Sequence, residues 1–175
     1  IYGPKGVGFL YAKDFFPEPQ QLGGDQELGL RAGTLNVASI VGLGLACEIA
    51  AEEQPDRFIF AEELKQVLLS GLSQVPDVLI NGGDHRSPFI LSLSFFGIEG
   101  ESLLIDLDSL GFCLSAGSAC SSRNVEPSAV LLALGLEPGW LRGTIRVSFG
   151  NYNTRETTVA LAKAMTRSVA HLRSL

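Results

Sequence analysis

The sequence predicts an α+β layer structure, helices laid on one face of a mostly antiparallel sheet, preceded by a shorter stretch that belongs to another domain. Three observations carry this reading. Residues 89–95 and 144–149 alternate apolar with polar side chains, the period of half-buried strands. Residues 61–72, 103–107 and 159–172 repeat apolar side chains every three or four positions, the period of amphipathic helices. Strands and helices mix without strict repetition, and Pro55 breaks a helical pattern, so we divide the chain into residues 1–52 and 53–175.

Taken in order, residues 6–12 interleave Val7, Phe9 and Tyr11 with Gly8, Leu10 and Ala12, which predicts a strand buried on both faces. Residues 15–25 carry Pro17, Pro19 and Gly23-Gly24, the breakers of an irregular loop. A helix follows with Val37, Ile40, Val41, Gly44 and Leu45 on its apolar stripe and Glu48, Glu52 and Glu53 solvated; Pro55 stops or kinks it. A second helix holds Ala61, Leu64, Val67, Leu68 and Leu72, and a short strand covers residues 78–80. In residues 89–95, Phe89, Leu91, Leu93 and Phe95 share one face while Ser92 and Ser94 take the other. A helix at 99–110, a strand at 112–115, a helix opened by Pro127 and stopped by Gly135, and a strand at 144–149 come next. The last helix starts near Thr154, with Asn153 and Glu156 spaced as a capping box.

Composition narrows the function. The 175 residues hold 13 Lys+Arg against 19 Asp+Glu, a net charge of -6, and the cations are scattered singly. No basic stripe exists for phosphate backbone, so direct nucleic-acid binding is not expected. With 46% apolar and 18% charged residues the chain is no disordered tail. No apolar run approaches the roughly 20 residues that cross a bilayer, and no leader pattern is present, so a cytoplasmic protein off the membrane is expected. The three cysteines show no C-x-x-C or Cys/His spacing, which predicts neither a disulfide framework nor a metal site. Opening at Ile1 and running at once into the turn Gly3-Pro4-Lys5-Gly6, the sequence reads as a piece of a longer polypeptide.

Chemistry is expected in three places. Every residue from 115 to 122 is small, so little packing holds this stretch, and Cys120 within it is placed as an accessible thiol near a helix start. Cys47 and Cys113 lie in apolar helix and strand patterns and read as packing residues. Arg146 alternates away from Ile145, Val147 and Phe149, so its guanidinium stands with Thr144 and Ser148 on a rigid strand, suited to bidentate capture of a carboxylate or to a surface ion pair. Gly29-Leu30-Arg31-Ala32-Gly33-Thr34 precedes a helix and offers either an anion site or an ordinary cap by Thr34. Lys5, His85 and His171 read as turn or surface residues.

Together these segments resemble the pyridoxal-phosphate (PLP)-dependent cysteine desulfurases of the NifS/IscS type (group I), members of the fold-type I, class V aminotransferases. Residues 1–8 (IYGPKGVG) are similar to the stretch after the family's coenzyme-binding lysine, and residues 23–34 (GGDQELGLRAGT) to its GGGQERGxRSGT. Residues 98–104 (IEGESLL) are similar to GVEGESLL, 115–127 (SAGSACSSRNVEP) to SSGSACxSxxxEP, and 144–150 (TIRVSFG) to xIRxSxG. Leu28, Asp25, Ala32 and Ala116 depart from the pattern.

The resemblance implies an α/β PLP-transferase of fold type I, with residues 1–52 ending the large PLP-binding domain and residues 53–175 forming an α+β small domain. It implies that Cys120 is the catalytic nucleophile that becomes a persulfide, Arg146 the anchor for the α-carboxylate of L-cysteine, and Thr34 a ligand for the PLP phosphate of the other subunit in a homodimer. The lysine that holds PLP is expected just before Ile1, with Lys5 no substitute, so the chain alone is expected to be inactive. The implied role is conversion of L-cysteine to L-alanine, with sulfur passed to an acceptor or iron–sulfur scaffold protein for cluster assembly or tRNA thiolation. A related lyase acting on selenocysteine or cystine, and a non-catalytic scaffold binding a sulfur carrier, remain alternatives.

Overall fold

The computed structural model describes residues 1–83, 85–116 and 128–175. The chain divides into two compact units, Ile1–Pro55 and Asp56–Leu175.

In the first unit the opening turn sits directly on helix α1 (Val37–Gly71). Small residues make this possible: a Cβ on Gly42 would lie 2.7 Å from Pro4 Cγ, and one on Gly3 would lie 3.1 Å from Ala46 Cβ. Residues 6–12 form no strand, contrary to the alternation, and Phe9, Leu10 and Tyr11 are exposed. A strand exists only with a neighbour to exchange hydrogen bonds, and no described residue pairs with this segment. The loop that follows is irregular, as its prolines and glycines predict, and is closed by a parallel bridge between Gln21 and Arg31 and a 3-10 turn at Gln26–Gly29.

Pro55 does not end the helix. α1 is continuous for 35 residues with Pro55 inside it, where two separate helices were expected. An interior proline costs about 3 kcal/mol, and the strong helix formers on either side, from Ala46 to Gln54 and from Ala61 to Gln66, offset it by propagation.

The second unit is built on a four-stranded sheet in the order β1-β2-β4-β3, antiparallel throughout. The strands are β1 (Val78–Ile80), β2 (Ile90–Phe95), β3 (Ser115–Ala116) and β4 (Thr144–Ser148). Leu91, Leu93 and Phe95 of β2 and Ile145 and Val147 of β4 face one side. There they meet Ala61, Leu64 and Leu68 of α1, Leu103 and Leu107 of α2 (Gly100–Ser109), and Leu161, Met165 and Val169 of α5 (Arg155–Leu172). This is the single-faced helical cover that the two periodicities predict. Each fully buried leucine contributes about 1.5–3 kcal/mol by leaving water. α1 and α5 pack so closely that a Cβ on Gly71 would lie 2.5 Å from Ala162 Cβ.

Two local predictions shift. β3 is confined to Ser115–Ala116, so Cys113 precedes the strand and is exposed rather than packed. The capping box of α5 is Thr154 with Thr157, not Asn153 with Glu156, because the Asn153 side chain instead accepts from Gly150 N–H at 2.7 Å. Glu156 is still held below its ordinary range, by its own backbone N–H and then by the Thr154 hydroxyl. The short helices α3 (Ala129–Ala133) and α4 (Pro138–Arg142) lead into β4; α3 stops before Gly135, at φ +70°, while Pro127 lies outside the described residues.

Candidate active site

The site grows from the other face of the sheet. Because the apolar residues of β2 and β4 fill the core, Ser92 and Ser94 of β2 and Thr144, Arg146 and Ser148 of β4 must point oppositely. Register then sets a polar row across all the strands. Arg146 stands opposite Ser92 on one side and opposite Ser115 on the other, and Asn81, just past β1, donates its backbone N–H to Ser92 O at 3.0 Å. Burial rises along this face, from exposed Ile90 and Ser148 at one end to fully buried Ser94 and Thr144 at the other.

At the buried end hydroxyls pair with one another and with the Asn81 amide nitrogen, while Asn81 Oδ1 is buried with no partner among the described residues. Asn81 Nδ2 donates to Ser92 Oγ at 3.0 Å and Ser94 Oγ at 2.9 Å, Ser94 Oγ lies 2.6 Å from Thr144 Oγ1, and Thr144 Oγ1 donates to Trp140 O at 3.1 Å. Ser94 is therefore buried at no polar cost, although alternation alone predicted an open face there. In the middle of the row stands a donor without an acceptor: Arg146 Nε is buried and makes no hydrogen bond among the described residues. A buried unpaired donor costs about 1–3 kcal/mol, more when charged, and an anion placed beside it removes that cost. This is the chemistry a carboxylate supplies.

Thr34 belongs to the first unit. It is exposed and does not cap α1; Asn36 does, its Oδ1 accepting from Ser39 N–H at 3.3 Å. The Thr34 hydroxyl makes no hydrogen bond among the described residues, and Gly33 before it adopts φ +111° while its N–H is held by Gln26 Oε1 at 3.1 Å. A free hydroxyl on a loop fixed in this way fits one oxygen of a phosphate, while the anchoring amine of a coenzyme is supplied by no residue of this loop. Cys120 lies outside the described residues. Cys47 is half-buried on α1. His85 and His171 are exposed, as the sequence predicts. A groove of the second unit, lined by Phe58, Ile59, Val67 and Val159 with Glu62 and Arg155, is formed by α1 and α5, elements that cover the apolar face, so it is not the Arg146 site. Sequence reasoning did not single out Asn81. Its signal was its position one residue beyond a strand whose neighbours carry serines on a single face.

The family match places the chain among the class-V aminotransferases, PLP transferases of fold type I. Residues 1–161 match the aminotransferase class-V family, and the chain belongs to it. Its relatives there are cysteine desulfurases of the IscS and NifS type. It is 45% identical over 161 residues to cysteine desulfurase IscS of Clostridium botulinum, covering 89% of this chain and 41% of that protein. It is 41% identical over 179 residues to cysteine desulfurase IscS of Escherichia coli, covering 100% of this chain and 44% of the relative. Among solved structures it superimposes on a NifS-like protein with a TM-score of 0.83 at 35% identity, over 97% of this chain and 44% of that one. The chain thus spans less than half the length of the relatives it matches. Among the described residues no helix is long and apolar enough to cross a membrane.

Proposed function

We propose that the chain is the C-terminal portion of a cysteine desulfurase, with residues 1–52 ending the large coenzyme domain and residues 53–175 forming the small domain. Arg146 binds the α-carboxylate of L-cysteine and fixes the substrate against the sheet. PLP, when bound, supplies an electron sink at the substrate's α-carbon. The Cys120 thiolate attacks the substrate sulfur: an S–S bond forms, the substrate's Cβ–S bond breaks, the carbon takes a proton, and alanine leaves while the enzyme keeps the persulfide. Thr34 contacts the phosphate of the coenzyme in the partner subunit of a homodimer, and a cytoplasmic acceptor or iron–sulfur scaffold protein takes the sulfur.

The observation that carries this reading is the buried, unpaired Arg146 Nε on the sheet's polar face, in a chain whose relatives are named cysteine desulfurases. The test is product analysis with the full-length protein. L-cysteine should yield L-alanine, and Arg146→Gln should raise the KM for L-cysteine by about tenfold or more, the worth of a charge-assisted hydrogen bond. Pyruvate in place of alanine, or an unchanged KM, would overturn the proposal.

A further inference from the structure

The hydroxyls around Arg146 can be assigned proton by proton. Each has one proton to give. Thr144 gives its proton to Trp140 O, so the 2.6 Å contact between Ser94 and Thr144 is donated by Ser94. Ser94's proton is thereby spent, so its 2.9 Å contact with Asn81 must come from the amide, which agrees with Nδ2 at that position. The same amide nitrogen donates to Ser92 Oγ at 3.0 Å. Asn81 thus occupies a lone pair of Ser92 and leaves the Ser92 proton unspent among the described residues.

The unspent proton lies beside Arg146. Backbone bonds from Phe149 N to Phe89 O and from Phe95 N to Gly143 O mark the hydrogen-bonded pairs of β2 and β4. Ser92 and Arg146 form an intervening pair. Intervening antiparallel pairs bring their Cα atoms to about 4.5 Å, the closer of the two spacings. Two donors without acceptors, the Ser92 hydroxyl and Arg146 Nε, therefore stand side by side on one half-buried face.

We propose that Ser92 is a second substrate-binding residue, donating its hydroxyl proton to the carboxylate that Arg146 holds, with its lone pair occupied by Asn81. The proposal rests on the reading of Arg146 as the carboxylate anchor. One charge-bearing fork sets the anion's position, and the hydroxyl beside it sets the carboxylate's rotation.

The test measures binding of L-alanine and of L-alaninamide to the full-length protein by calorimetry, together with KM and kcat for L-cysteine. Ser92→Ala should weaken L-alanine about tenfold, leave alaninamide unchanged, and raise KM with kcat nearly constant. Ser92→Thr keeps the hydroxyl on a strand that tolerates β-branching and should restore most of the loss. Ser92→Ala binding L-alanine like the wild type while Arg146→Gln loses it would overturn the role of Ser92 and leave Arg146 standing. If neither substitution changes the preference for the carboxylate, both readings fall.

Discussion

The two units use their apolar residues in opposite ways. In Asp56–Leu175, Leu64, Leu93, Phe95, Leu103 and Leu107 are fully buried in one cluster. In Ile1–Pro55 the buried apolar residues are alanines, Ala32 and Ala46, while Phe9, Tyr11, Phe16, Leu22 and Leu28 are exposed. The first unit carries apolar patterns too, and among the described residues the large apolar side chains are buried in the second unit alone. Pattern specifies which face is to be covered; a neighbouring element is still needed to cover it.

Substitution should separate the units sharply. Leu93→Ala or Leu107→Ala is expected to lower the stability of the second unit by about 2–5 kcal/mol, the cost of a core cavity. Leu10→Ala, at an exposed site, should change it by less than about 0.5 kcal/mol. Urea denaturation of the chain reads both, and a Leu10 effect as large as that of Leu93 would break the comparison.

A smaller effect sharpens it by showing that charge at the surface of the second unit matters little beside burial. The Glu62 carboxyl is held below its ordinary range, first by its hydrogen bond to Lys65 and then by Gln66, yet it is substantially exposed. A depressed carboxyl pKa stabilises above the unfolded-state value and loses that contribution as pH falls through the folded value. Glu62→Gln is therefore expected to cost about 0.2–1 kcal/mol at pH 7, and the difference from the wild type should vanish as the medium is acidified below pH ~4. Denaturation curves at several pH values check the sign; a difference that grows on acidification would contradict it.

Much of the second unit was legible because its strands and helices are amphipathic and local. Val78–Ile80 forms the strand its pattern predicts, and Arg146 lies on the face that alternation assigns it. Residues 6–12 were misread because a doubly apolar strand is defined by its neighbours, not by itself. Pro55 does not stop the helix, one of the two outcomes its pattern allowed, because propensity on either side outweighs one lost hydrogen bond. Helix α4 went unread although Pro138 stands at its first turn, since five residues carry no period. The candidate site was legible in part. Arg146 follows from alternation, whereas the coupling of Asn81 to Ser92 spans 11 residues of sequence and appears only once β1 and β2 are paired.

Cys120 is the centre of the functional account, and the chain's three cysteines provide their own control. The decisive measurement is peptide mass spectrometry of the full-length protein after exposure to L-cysteine under non-reducing conditions. One added sulfur atom on the peptide bearing Cys120, with Cys47 and Cys113 unmodified, is the expected result. Sulfur carried by Cys113 or Cys47, or by none of the three, would contradict the assignment.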